Sequence, residues 1–264
     1  MNLQLQKKRA LVTGSTAGIG LAIASALARE GASVIVNGRT EERVAAAVKT
    51  ILQRAPDTRV SGVVADLSSA AGAEELCRQV PETDVLVNNL GIFGAKPFAD
   101  ISDDDWRRIF EVNVMSGVRL SRHYLSTMVR KKWGRIIFIS SESAVNIPAE
   151  MIHYGVTKTA QVALARGLAE TTVGTGVTVN SILAGPTRSE GAEGFVKRMA
   201  AQQGLDAAAV ERQFFERARP FSLLRRFETP EEVAALVAFV ASELASAING
   251  AALRVDGGVL RGIF

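Results

Sequence analysis

The sequence is poor in the residues that would point to several whole classes of protein. Cys77 is the only cysteine in 264 residues, so no disulfide can form within the chain and a stapled scaffold of an oxidising compartment is excluded. The two histidines, His123 and His153, have no cysteine or carboxylate constellation around them, which argues against a metal. No stretch approaches the ~20 apolar residues needed to cross a bilayer. The first residues carry no apolar core of a signal peptide, so a soluble, cytoplasmic protein with no membrane partner is expected. Prolines number only 7 and form no Pro/Gly/Ser-rich linker, and no internal repeat divides the chain, so one domain over residues 1–264 is expected. Net charge is also small: 31 basic against 27 acidic residues leave +4. The basic clusters Lys7-Lys8-Arg9 and Arg130-Lys131-Lys132 are short and far apart, a solvated surface rather than a nucleic-acid footprint.

What the chain does have is apolar residues, 47% of the total, in regular alternation. Short β-branched runs at 9–13, 32–37, 59–65, 84–88, 134–140, 177–182 and 252–255 read as strands, and the helical windows between them include 41–54, 103–132, 152–172 and 230–244. Runs such as Val85-Leu86-Val87 and Arg135-Ile136-Ile137-Phe138-Ile139 are apolar on both faces, as in a parallel sheet covered by helices on each side. The expected fold is a doubly wound, Rossmann-type α/β sheet in three layers, whose ligands sit beyond the carboxyl ends of the strands.

The first strand leads into Thr13-Gly14-Ser15-Thr16-Ala17-Gly18-Ile19-Gly20, which opens a helical pattern. Gly14 suits a tight turn, Gly18 removes a side chain where a diphosphate approaches backbone, and Gly20 lets helix and strand pack closely. The free amides of the helix start then favour an anion. The glycine spacing differs from Gly-x-Gly-x-x-Gly, and the motif alone is weak. The second strand ends in Val36-Asn37-Gly38-Arg39, with no carboxylate for the ribose hydroxyls of NAD and a guanidinium suited to the phosphate of NADP. NADP is therefore expected ahead of NAD; an Arg39 paired with Glu41 or Glu42 in a surface turn is the alternative. Asp66 reads either as an acceptor for the adenine amine, with Leu67 against the ring, or as a cap for a helix beginning near Ser68. Asn88-Asn89-Leu90-Gly91 offers side chains that close loops and a glycine past which a cofactor can lie.

Tyr154 and Lys158 stand four apart in a helical window and share a face. An ammonium beside a phenol favours the tyrosinate and lowers its pKa, which would make Tyr154 a general acid and base near neutral pH. The fifth strand ends in Ser140-Ser141 and brings a hydroxyl to the same sheet edge.

Thr13-Gly-x-x-x-Gly-Ile-Gly20, Asn88-Asn-Leu-Gly91, Asn113, Ser141 and Tyr154-x-x-x-Lys158, in this order and at these separations, resemble the short-chain dehydrogenase/reductase family in its compact single-domain form, over nearly the whole chain. The resemblance implies a tetrad: Tyr154 as acid/base, Ser141 orienting the carbonyl or alcohol, Lys158 binding the nicotinamide ribose, and Asn113 completing a proton relay through water. It also implies cofactor contacts from Gly14, Thr16, Gly18, Ile19, Gly20, Arg39, Asp66, Leu67, Asn89 and Gly91, and from Gly185 and Thr187 toward the nicotinamide. Leu90 stands where relatives have alanine, and Ala184 where they have proline, with Pro186 beyond Gly185.

Residues 187–228 are longer than a simple connection, and helical patterns at 192–202 and 207–218 suggest a helical flap over the substrate. Phe195, Met199, Phe214, Phe215 and Phe221 are expected mostly to pack on the sheet. A homotetramer is expected from small residues on the Tyr154 helix (Ala160, Ala163, Gly167, Ala169) and from Val259, Leu260, Ile263 and Phe264 beyond the last strand, which a monomer would leave in water. The expected function is oxidoreduction between NADP(H) and a small carbonyl or secondary alcohol. A nucleotide sensor without turnover and an epimerase or dehydratase of the same superfamily are the alternatives.

Overall fold

Seven parallel strands form one sheet: β1 (Arg9–Val12), β2 (Ser33–Gly38), β3 (Val60–Val64), β4 (Val85–Asn88), β5 (Gly134–Ser141), β6 (Val177–Ala184) and β7 (Ala252–Val255), in the order β3-β2-β1-β4-β5-β6-β7. The computed structural model describes residues 2–263, apart from the side chains of Phe195 and Gln203. The helices are α1 (Gly18–Arg29), α2 (Glu41–Arg54), α3 (Ala70–Gln79), α4 (Asp103–Phe110), α5 (Ser116–Arg130), α6 (Ile152–Glu170), α7 (Glu190–Gln203), α8 (Ala207–Gln213) and α9 (Pro230–Val240). Successive strand side chains go to opposite faces. Val12, Val36, Val87, Ile137 and Ile139 meet α1, α2 and α9 through Ile23, Leu27, Ile51, Val233 and Val237. Leu11, Ile35, Leu86, Ile136 and Phe138 meet α3, α5 and α6 through Leu76, Leu120, Tyr124, Met128 and Ala165. The strand order reverses between β1 and β4, so the crevice for a ligand opens where the loops after β1 and β4 diverge.

Three expectations change here. The window 103–132 is not one regular helix: α4 and α5 are joined by a π turn, Glu111–Met115, centred on Asn113. Met199, Phe214 and Phe215 do not pack on the sheet. Together with Val196, Val210 and Phe227 they form a small core of their own, while Phe221 is exposed and the Phe195 side chain lies outside the described residues. Val259 and Leu260 are buried in their own chain, held where the Asp256 carboxylate accepts from the Leu260 amide at 2.9 Å, so among the described apolar residues of the tail Ile263 alone is left in water; Phe264 lies outside the described residues. On α6, Ala163 and Gly167 face outward and Ala169 inward. Among the described residues no helix is long and apolar enough to cross a membrane.

Candidate functional site

The glycine turn is shaped by sterics. Gly14 and Gly18 take φ of +59° and +54°, and a Cβ on Gly20 would lie 2.5 Å from both Asn89 Nδ2 and Gly14 O. Helices α2 and α3 start under hydroxyl caps from Thr40 and Ser69, but α1 begins after Ala17 with no side-chain cap and no acid in its first turn. Its first amides are thus left for an anion, and Thr16, Gly18 and Ile19 stand partly exposed around them. The side chain of Asn89 holds the turn itself, its Nδ2 donating to the oxygens of Thr13 and Gly14 at 2.9 and 3.1 Å. Asn37, buried, adds a 3.3 Å acceptor for the Gly14 amide. Leu90 rests against Gly14 without crowding it, 3.4 Å from where a Cβ would stand.

Arg39 is exposed at the end of β2 and pairs with neither Glu41 nor Glu42. Asp66 lies close enough for the Arg39 charge to act on it. Hydrogen bonds from Ser68, and then that charge, hold its carboxyl below the usual range. Asp66 is not the cap of α3: it accepts from the Ser68 amide at 3.0 Å, and Ser69 caps the helix. Leu67 is buried in the core beneath.

At the carboxyl ends of β4 and β5 the chemistry converges. Ser140 Oγ donates to the Lys158 carbonyl at 2.9 Å, which ties β5 to α6 and leaves Ser141 as the strand-end hydroxyl that favours the Tyr154 phenolate. Lys158 Nζ lies 5.6 Å from the Tyr154 ring centroid and donates to Ile139 O at 2.9 Å and Gln161 Oε1 at 3.1 Å. Gly91 lies beside the ammonium, its would-be Cβ 3.4 Å from Lys158 Nζ, an ordinary contact distance. Asn113 is buried in its π turn. Its Oδ1 accepts from the Ile92 amide at 2.8 Å, and its Nδ2 donates to Ile92 O at 2.9 Å and Thr157 Oγ1 at 3.0 Å, so the side chain braces the loop after β4 against α6. Tyr124, the other tyrosine, is buried with its hydroxyl spent on Val80 O, which leaves Tyr154 as the phenol in the cleft.

The expected lowering of the phenol is not produced by the protein groups alone. Burial pushes Tyr154 up to about 12, opposed by the Ser141 hydrogen bond, and burial also pushes Lys158 down to about 8. Desolvation outweighs a cation whose hydrogen bonds are directed elsewhere.

Gly185 is fixed by crowding, with Glu228 Oε1 2.5 Å and Asp256 Cα 2.8 Å from a would-be Cβ. Thr187 hydrogen-bonds back to Gly185 O at 3.0 Å and bridges to Glu228. Glu228 itself is buried, with both carboxylate oxygens unpartnered, and burial raises it to about 8. Phe93 stands edge-on to Tyr154, centroids 6.1 Å apart, and a Cβ on Gly191 of α7 would lie 3.1 Å from its ring. A cavity of about 220 Å³ opens between Gly18 and the start of α7 at Ser189 and Glu190. A larger groove of about 670 Å³, lined by Val44, Val48, Leu52 and Val64, lies at the far sheet edge, away from these groups. Sequence reasoning missed Gln161, Glu142, Arg219, Asn37 and Glu228. Gln161 alone carried a signal, since Tyr154, Lys158 and Gln161 fall at i, i+4 and i+7 on one helical face.

A doubly wound sheet with an uncapped glycine turn at its switch point defines a dinucleotide-binding α/β protein. The chain belongs to the short-chain dehydrogenase/reductase family of oxidoreductases: a family profile described as Enoyl-(Acyl carrier protein) reductase matches residues 14–260. It is 49% identical over 264 residues, all of both chains, to the uncharacterized oxidoreductase YvaG of Bacillus subtilis. It is 36% identical to the D-beta-hydroxybutyrate dehydrogenase of Cupriavidus necator, over 96% of this chain and 98% of that one. Among solved structures it matches L-sorbose reductase from Gluconobacter frateurii, complexed with NADPH and L-sorbose, at a TM-score of 0.94 and 30% identity over the whole of both chains.

Proposed function

We propose that the chain interconverts a carbonyl compound and a secondary alcohol with NADP(H), using Tyr154 as acid and base. The observation that carries this reading is the meeting of Ser141, Tyr154 and Lys158 at the carboxyl edge of the sheet, across the crevice from the glycine turn. The α1 amides would hold the diphosphate of a nicotinamide cofactor, which when bound would supply or accept the hydride. Tyr154 Oη passes the proton to or from the substrate oxygen, Ser141 hydrogen-bonds that oxygen, and the Lys158 ammonium favours the phenolate and takes the ribose. Asn113 keeps the Ile92 loop and α6 in register, and Gly185 and Thr187 line the nicotinamide end. Helices α7 and α8 act as a flap, reaching the phenol through Phe93. Assaying ketones, ketoses and β-keto acids for NADPH consumption tests the reading, and turnover that survives Tyr154→Phe would overturn it.

Arg39 supports NADP over NAD, as does the NADPH bound in the sorbose reductase relative. A hydrogen bond to a charged group contributes about 1.5–3 kcal/mol. Arg39→Ala is therefore expected to weaken NADPH binding roughly 10- to 100-fold and leave NADH nearly unchanged in a fluorescence titration; a wild type that binds both equally would reverse the assignment. Adding the ribose carboxylate by Gly38→Asp is hindered, because its Cβ would lie 2.4 Å from Thr16 Cγ2.

The outward Ala163 and Gly167, the latter with nothing within 4 Å of a would-be Cβ, support a homotetramer built through α6. Light scattering is expected to show the tetramer and its reduction by Gly167→Arg. A monomeric wild type would refute it.

A further inference from the structure

The Lys158 ammonium is joined to the π turn by one side chain. Gln161 is 1% exposed; its Oε1 accepts from Lys158 Nζ at 3.1 Å, and its Nε2 donates to the main-chain oxygen of Asn113 at 2.5 Å. The direction of the amide is forced, because an ammonium can only donate and a carbonyl can only accept. A glutamate at this place would turn an oxygen against the Asn113 carbonyl. A leucine would leave a buried donor and a buried acceptor each short of a partner. The π turn matters too, since it departs from the regular ladder at Asn113, where the carbonyl is reached from another helix.

We propose that Gln161 is a positioning residue for the reaction: its amide ties the Lys158 ammonium to the main chain of Asn113 and so fixes that ammonium relative to Tyr154. The inference rests on the roles given above to Tyr154 and Lys158. Without the amide, Lys158 keeps a single acceptor, Ile139 O, on the strand that ends in Ser141. A hydrogen bond to the ammonium favours the charged form, and burial opposes it. The charged groups acting on neighbouring Tyr154, Glu142 and Arg219, are paired with each other and are untouched by a change at position 161.

The test compares full-length wild type, Gln161→Leu and Gln161→Glu, each labelled with 13C at the lysine ε-carbon, with the Lys158 signal assigned through Lys158→Met. The Lys158 titration midpoint is expected to fall by about one pH unit, tenfold in the equilibrium, in Gln161→Leu and to rise above wild type in Gln161→Glu, where a carboxylate faces the ammonium. The alkaline fall in kcat for carbonyl reduction should move with it, while the KM for the carbonyl stays in place. A folded Gln161→Glu whose Lys158 midpoint matches wild type overturns the proposal. Failure of the reductase reading registers elsewhere, as turnover retained in Tyr154→Phe, and leaves the lysine titration readable.

Discussion

Tyr154→Phe is expected to lower kcat for carbonyl reduction by 10²- to 10⁴-fold, roughly the contribution of a positioned proton donor, while NADPH still binds. Phenylalanine keeps the ring that meets Phe93 edge-on and removes only the hydroxyl on which Ser141 acts. The fold and the glycine turn are therefore undisturbed, and steady-state rates beside a fluorescence titration of NADPH separate chemistry from binding. A variant within about threefold of wild type would remove Tyr154 from the mechanism. The pH profile follows from the same two groups. With the phenol near 12, Tyr154 is protonated throughout the working range and is a ready donor for reduction. The Lys158 charge is present below about 8 and lost as pH rises through it, so reduction should decline on that side. Alcohol oxidation needs the phenolate and should rise with pH.

The parts of this site legible in the sequence are those set by local chain geometry. The glycines of the first turn, the run of both-face apolar strands and the Tyr154/Lys158 spacing each depend on a few neighbouring residues; the seven-stranded parallel sheet bears out the fold read from the strands, and the family match bears out the family resemblance. What escaped it depends on contacts between distant segments. The break in the 103–132 helix at Asn113 is invisible in periodicity, because a π turn adds one residue without altering which residue types are apolar. Val259 and Leu260 read as an exposed tail because the return of the chain is directed by a carboxylate, Asp256, that has no helical or strand period. The phenol's upward shift was missed because spacing shows a nearby cation but not the desolvation that outweighs it.

Arg219→Leu is expected to cost about 3–5 kcal/mol of stability, because it would leave the Glu142 carboxylate buried without its counter-charge. The pair is formed at 2.7 Å with side chains 8% and 3% exposed. Glu142 follows the Ser141 hydroxyl at the end of β5, and Arg219 follows the turn Phe214–Ala218 after α8, so this ion pair fastens the flap segment to the catalytic strand. Ser143 Oγ donates to the second Glu142 oxygen at 2.8 Å, and an Arg219 nitrogen donates to Ala218 O at 2.9 Å, so both ends are anchored beyond the pair itself. For a chain of this size each kcal/mol moves Tm by about 2–4 °C, so a fall on the order of 10 °C is expected in a thermal melt. Activity should fall with it: the Glu142 charge raises the Tyr154 phenol and the Arg219 charge lowers it, so removing the arginine disfavours the phenolate. Replacing both residues, Glu142→Leu with Arg219→Leu, should restore most of the stability, since a buried pair exchanged for apolar side chains is often neutral or better. Its kinetics then report the loss of the flap contact together with the loss of the two opposed charges beside Tyr154. A single Arg219→Leu that melts within about 1 °C of wild type would mean that Glu142 is solvated in solution and that the flap is not held by this pair.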